Sequence, residues 1–164
     1  MDIKANEIQM IPLDQITLNP KNRNKHPANQ IDALAKIIKA QGFRRPLTIS
    51  KRSGLLVCGE GRYLAAAKLG YQFVPVMYQE YESEEQEYAD GIADNAVDKW
   101  AELDYPAINQ DLADLGPFDI DLLGIEDFKV EPLEHEGFTP DHSKQIKCPH
   151  CGAEFEVGTT KKTD

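Results

Sequence analysis

Cysteine is scarce in this chain, and its scarcity excludes a broad class. Three cysteines in 164 residues, two of them as Cys148-x-x-Cys151, cannot make a disulfide framework, so a reducing compartment fits better. Long apolar runs are missing too. Nothing approaches the roughly 20 residues of a membrane-spanning helix, and Met1-Asp2-Ile3-Lys4 lacks a signal peptide's apolar stretch. The expectation is a soluble cytoplasmic protein without membrane contact. No Ser-His-Asp or Cys-His set suggests covalent catalysis. Aromatic residues make up only 8% and prolines number ten, which points to loops and extended parts, while a hydrophobic fraction of 41% argues for a folded α/β or α+β domain with room for a small appendage.

Basic residues are nearly absent from one half of the chain. Between Glu80 and Glu136 only Lys99 and Lys129 oppose nineteen acids, whereas between Lys21 and Lys68 eleven basic residues face Asp32 and Glu60 alone. The net charge of −10 is therefore sorted rather than mixed. The basic third is a candidate DNA-binding surface for phosphates, and the acidic half either repels nucleic acid or docks against the basic third. The alternative is two solvated faces of opposite bias.

The stretch with the clearest chemistry is Val57-Cys58-Gly59-Glu60-Gly61-Arg62, followed by a run of helix formers as far as Gly70. An apolar strand enters a glycine turn and a helix leaves it. Amide N–H groups and the partial positive charge at such a helix start favour an anion, and Arg62 adds a fork matched to phosphate. A plain strand-to-helix turn with an exposed arginine is the alternative.

Around this centre the periodicities predict a small mixed sheet with flanking helices. Ile8 to Ile16 reads as a strand whose Pro12 suits an edge. Asn19 to Pro27 is a loop with the composition of a binding lip, and His26 within it reads as an exposed residue that nothing would orient as a base. Ile31, Leu34, Ala35 and Ile38 recur at helical spacing over Asn29 to Gln41. Leu47 to Ser50 and Leu55 to Cys58 form a hairpin, and Phe73 to Tyr78 is a further strand that Pro75 marks as edge-like. Ser83-Glu84-Glu85-Gln86 has capping-box spacing and starts a helix running toward Trp100, with Tyr88, Ile92, Asn95 and Ala96 near one face. Asp90, Asp94 and Asp98 line up on a face of the same helix. Asp104 caps a last helix, Tyr105 to Leu115.

This succession, from about Ile11 to Phe128, resembles the N-terminal domain of the ParB/sulfiredoxin-like superfamily, often labelled a ParB-like nuclease domain. The residues that carry the likeness are Ile11-Pro12-Leu13-Asp14-Gln15-Ile16, Asn19-Pro20 with Arg23, Gly42-Phe43 with Pro46-Leu47, Gly59 to Gly70, and Val74-Pro75-Val76. Ala93-Asp94-Asn95, Trp100 and Phe118 to Gly124 look most like versions from phages and mobile elements, where the domain often precedes a DNA methyltransferase; the compartment would then be a bacterial host's cytoplasm. The resemblance implies a domain that binds a nucleoside triphosphate such as CTP or ATP with Mg²⁺. Gly59, Gly61, Arg62 and Tyr63 would lie on the phosphates, Glu60 would help place the metal ion or act in catalysis, Asn95 would match a second phosphate-side motif, and Arg23 would come from the first box. The sequence departs from ParB where Gly61 replaces a usual second arginine, and from sulfiredoxin where Glu60 replaces the reactive cysteine. Cys58 reads as a buried inert thiol.

The expected domains are 1–128, a linker over 129–145 and a zinc-ribbon-like knuckle over 146–164. There Cys148 and Cys151 supply half of a Zn²⁺ site, with His135 or His142, or a second chain in a homodimer, to complete it; an unmetallated tail is the alternative. Three functions stay open: a nucleotide-binding, DNA-associated accessory protein of a phage or mobile element; an enzyme (NTP hydrolase, small-molecule phosphotransferase or metal-dependent nuclease) using Glu60 with Asp90, Asp94 or Asp98; and an interaction module for a phage protein partner.

Overall fold

The structure is a computed structural model that describes residues 7–130, 145–147 and 154–156. It separates into two compact units, Met1–Val130 and Glu131–Asp164. In the second, β6 (Gln145–Lys147) and β7 (Glu154–Glu156) pair antiparallel. Cys148, Cys151, His135 and His142, and with them the expected zinc knuckle, lie outside the described residues.

In the first unit, five strands line up as β1-β5-β3-β4-β2: β1 (Ile8–Pro12), β2 (Thr17–Leu18), β3 (Leu47–Ser50), β4 (Leu55–Cys58) and β5 (Phe73–Gln79). The pairing is mixed: β1–β5 and β3–β4 run antiparallel, β3–β5 and β2–β4 parallel. Alternation decides the inner face. Leu47, Ile49, Leu56, Val74 and Val76 point one way and close on Ile16 and Ala66; each buried aliphatic side chain contributes about 1.5–3 kcal/mol. Helices α1 (Ala28–Gln41) and α2 (Glu60–Lys68) pack together through Ala35, Ile38 and Ala65.

Pro12 lies on the edge strand β1, as expected, but Pro75 does not mark an edge, because β5 is flanked by both β1 and β3. The reason is register. The ladder with β3 begins at Val76, one residue after the proline, so at Pro75 the strand has a neighbour on one side only.

Helix α3 (Glu84–Ala96) is capped by Ser83 Oγ, which accepts from Gln86 N at 3.2 Å, while Gln86 Oε1 reaches back to Glu82 N at 2.7 Å. Its buried face differs from the periodicity. Tyr88 remains 46% exposed, and the inward residue is Glu87, at 4%. The helix meets the β3–β4 hairpin at polar groups: Glu87 accepts from Ser50 Oγ and Ser53 Oγ, each at 2.7 Å, and from Arg52 Nε at 3.1 Å. Gly91 brings α3 close, since a Cβ there would stand 3.3 Å from the Val57 carbonyl oxygen. The acidic half thus docks on the basic third, and Lys21–Glu84 and Lys51–Glu80 add pairs around the contact. Helix α4 (Tyr105–Leu115) follows, capped by Asp104 Oδ1 on Ala107 N at 3.0 Å, and a 3-10 turn, Ile120–Leu123, returns to α1, where Lys36 bonds Asp119 and Asp121. Among the described residues no helix is long and apolar enough to cross a membrane.

Candidate nucleotide site

The glycine turn is held by its backbone. Gly59, the residue before α2, has φ +99° and ψ 23°, a left-handed conformation that a Cβ disfavours. Its missing side chain leaves room for another group: an added Cβ would fall 2.7 Å from Arg62 Nη2 and 2.8 Å from Leu47 Cδ2. The Arg62 guanidinium therefore folds back over Gly59. No side chain caps α2, so the first-turn amides and the positive end of the helix serve the space in front of the turn.

Arg62 Nε is buried and has no hydrogen-bond partner among the described residues. Burial pulls the guanidinium's pKa down, Asp94 pushes it back up, and Arg45 lowers it; the group stays charged. A buried charged donor lacking an acceptor is costly unless an anion meets it.

A cleft of about 690 Å³ opens at this point. Gly59, Glu60, Gly61 and Arg62 form its floor, Asp94, Asn95 and Asp98 one wall, and Arg44 and Arg45 add positive charge. Apolar groups, Leu34, Ile37, Leu122 and Leu123, line the rest. Glu60 Oε2 accepts from Asn22 Nδ2 at 2.5 Å, and Asn22 Oδ1 accepts from Asn24 N at 2.9 Å, so the Asn-rich loop forms a lip that holds the carboxylate.

The structure brings together Gly59, Glu60, Gly61, Arg62 and Asn95. It places Tyr63 against the hydrophobic core and Arg23 in a separate hollow beside Arg52 and Glu84. Of the aspartate series, Asp94 and Asp98 reach the cleft, while Asp90 accepts from the Tyr81 hydroxyl at 2.6 Å. Cys58 is buried, and burial followed by the charges of Asp94 and Asp90 pushes its thiol up to about 12, which makes it a poor nucleophile. Sequence reading missed His26, whose ring packs on Gly61, and the pair Arg44 and Arg45. The signal for His26 was Gln30 four residues on, in the first turn of α1: Nδ1 and Gln30 Oε1 are 3.0 Å apart.

A mixed five-stranded sheet, two helices packed together beside it and a glycine turn between β4 and α2 define a small α/β domain. The model of the ParB N-terminal domain matches residues 1–95, and the chain belongs to that family. It is similar to the nucleoid occlusion protein of Halalkalibacterium halodurans, 27% identical over 81 residues that make up 48% of this chain and 29% of that protein. The fold resembles the C-terminally truncated chromosome-partitioning protein ParB of Caulobacter crescentus complexed with CTP-γ-S, with a TM-score of 0.55 at 22% identity, covering 64% of this chain and 60% of that one. It also resembles a Pnob8-like ParB-N domain, with a TM-score of 0.50 at 20% identity over 70% of this chain and 48% of that one.

Proposed function

We propose that the chain binds a nucleoside triphosphate, of the CTP or ATP type, with its phosphates on the Gly59–Arg62 turn, and that it works as a DNA-associated accessory protein of a phage or mobile element. The observation that carries the nucleotide reading is the buried, unpartnered Nε of Arg62 at an uncapped helix start. Membership of the ParB N-terminal domain family supports it, as does the likeness to a ParB chain complexed with a CTP analogue. Asn95 would reach the phosphates from α3, and the apolar wall suits the nucleoside. A Mg²⁺ ion would come with the nucleotide. Among the described residues no three His, Cys, Asp or Glu side chains gather into a metal site, so phosphate oxygens would supply most ligands, with Glu60 as the protein's contribution.

Calorimetric titration with each of the four ribonucleoside triphosphates plus Mg²⁺ tests the reading. Arg62→Ala is expected to weaken binding by about 30-fold, the size of a lost charge-assisted contact. Absence of binding to every nucleotide, or equal binding by the variant, would sink it and leave an interaction module.

The hold of Asn22 on Glu60 favours a second reading, in which the same cleft hydrolyses or transfers a phosphoryl group; product formation that disappears in Glu60→Gln would establish it. The DNA part rests on fewer charges than the sequence suggests, because Lys21, Lys36, Lys51, Arg52 and Lys68 already pair with acids of the same chain. Arg23, Lys25 and Lys39 are exposed and would carry it. DNA retention should fall steeply with added salt, with a slope that shrinks by about one for each of these residues removed.

A further inference from the structure

We propose that His26 is the proton-carrying contact of the cleft: it takes up a proton as the triphosphate binds and donates from Nε2 to a phosphate oxygen. The inference rests on the phosphate reading above and deepens it. The imidazole lies against the first turn of α2, where a Cβ added at Gly61 would stand 3.2 Å from Nδ1 and 3.4 Å from Cε1. Glycine at 61 leaves the room that the ring fills. One nitrogen is committed, because Nδ1 lies 3.0 Å from Gln30 Oε1 and an amide oxygen only accepts, so Nδ1 carries a hydrogen in either charge state. Nε2 has no partner among the described residues. In the neutral ring it is an acceptor, which would face a phosphate oxygen with lone pair against lone pair. Only the protonated ring offers a donor there, so binding and proton uptake are linked.

Charged groups of both signs line the same cleft as the ring. From α2 come Glu60 and Arg62, from α3 Asp94 and Asp98, and from the loop before β3 Arg44 and Arg45, while the 3-10 turn presents only Leu122 and Leu123. Three arginines and three carboxylates thus share the cleft with the ring. A triphosphate would add negative charge beside the imidazole, which favours the imidazolium. The sign follows: a contact that only the imidazolium can make gives affinity that is present at low pH and lost as pH rises.

The test is calorimetry of the full chain with CTP and Mg²⁺, and with tripolyphosphate, in two buffers of different ionisation enthalpy at pH 6, 7 and 8, for wild type and His26→Gln. The difference between the proteins cancels the ligand's own ionisation. Wild type is expected to take up more protons than His26→Gln and to lose about tenfold more affinity from pH 6 to 8, with near-equal affinities at pH 8. Gln30→Leu, which keeps the imidazole but frees Nδ1, should lower the uptake in the same direction. Equal proton uptake by wild type and His26→Gln, both binding, overturns this inference and leaves the phosphate site standing. Absence of binding by the wild-type chain overturns both.

Discussion

Glu87→Ala lowers the stability of the first unit by about 3 kcal/mol, or roughly 10 °C in melting temperature. The carboxylate is the acceptor for Ser50 and Ser53 and the partner of Arg52, whose Nη2 lies 3.0 Å away. Ser50 is fully buried, so without Glu87 its hydroxyl loses its acceptor where water cannot replace it, while the partly exposed Arg52 loses its ion pair. The pH dependence has a definite sign. Burial by itself would push the carboxyl up, but the hydrogen bonds from Ser50 and Ser53 and the charge of Arg52 outweigh it and hold Glu87 below the usual carboxylate range. A depressed carboxyl contributes stability that is complete above the unfolded value, about 4.3, and lost as pH falls through the native one. Melting curves from pH 7 to pH 3 should therefore converge for wild type and variant at the acid end. Parallel curves would show that the network does not act through its charge. Because α3 supplies Asp94 and Asn95 to the cleft, the variant should also weaken nucleotide binding.

Gly59→Ala combines two costs and should be as damaging. The left-handed backbone costs an alanine about 1–2 kcal/mol, and a methyl group set 2.8 Å from Leu47 Cδ2 overpacks the core by about 1–3 kcal/mol. The sum, about 3 kcal/mol, can be read from denaturant unfolding. Gly70→Ala is the control: φ is +76° but nothing lies within 4 Å of the added Cβ, so only the first cost, about 1 kcal/mol, applies. Gly59→Ala must also displace the Arg62 guanidinium, so it abolishes nucleotide binding while Gly70→Ala leaves it intact. Equal destabilisation by the two would mean that the turn relaxes around the methyl group.

What the sequence revealed and what it hid divide along local and non-local lines. The helix over Ala28–Gln41 and the glycine turn were legible because spacing and turn chemistry are local. The interior place of β5 was not, since register with β3 begins after Pro75 and register is a tertiary fact. The inward face of α3 was misread because hydrophobic periodicity presumes an apolar contact, and this helix is anchored by a carboxylate on serine hydroxyls. In the cleft, the turn residues were legible locally and Asn95 through the family resemblance, whereas Arg44, Arg45 and His26 reach it only through the packing of α1 on α2. Tyr63 shares the helix of Arg62 but turns to the core, a difference of one position around a helix.

The placing of β1 has a consequence for how the chain is made. The first of the sheet's five strands pairs only with the last of them, from Ile8 opposite Met77 to Pro12 opposite Phe73. On a ribosome, β1 has no partner until β5 has emerged, and Ile8 and Met10 travel unpaired through the synthesis of α1, the hairpin and α2. Closing so long a loop is slow relative to forming the local hairpin. The first of the five strands to be made is then the last to be fixed, and the sheet acquires this edge only when the interior strand β5 arrives.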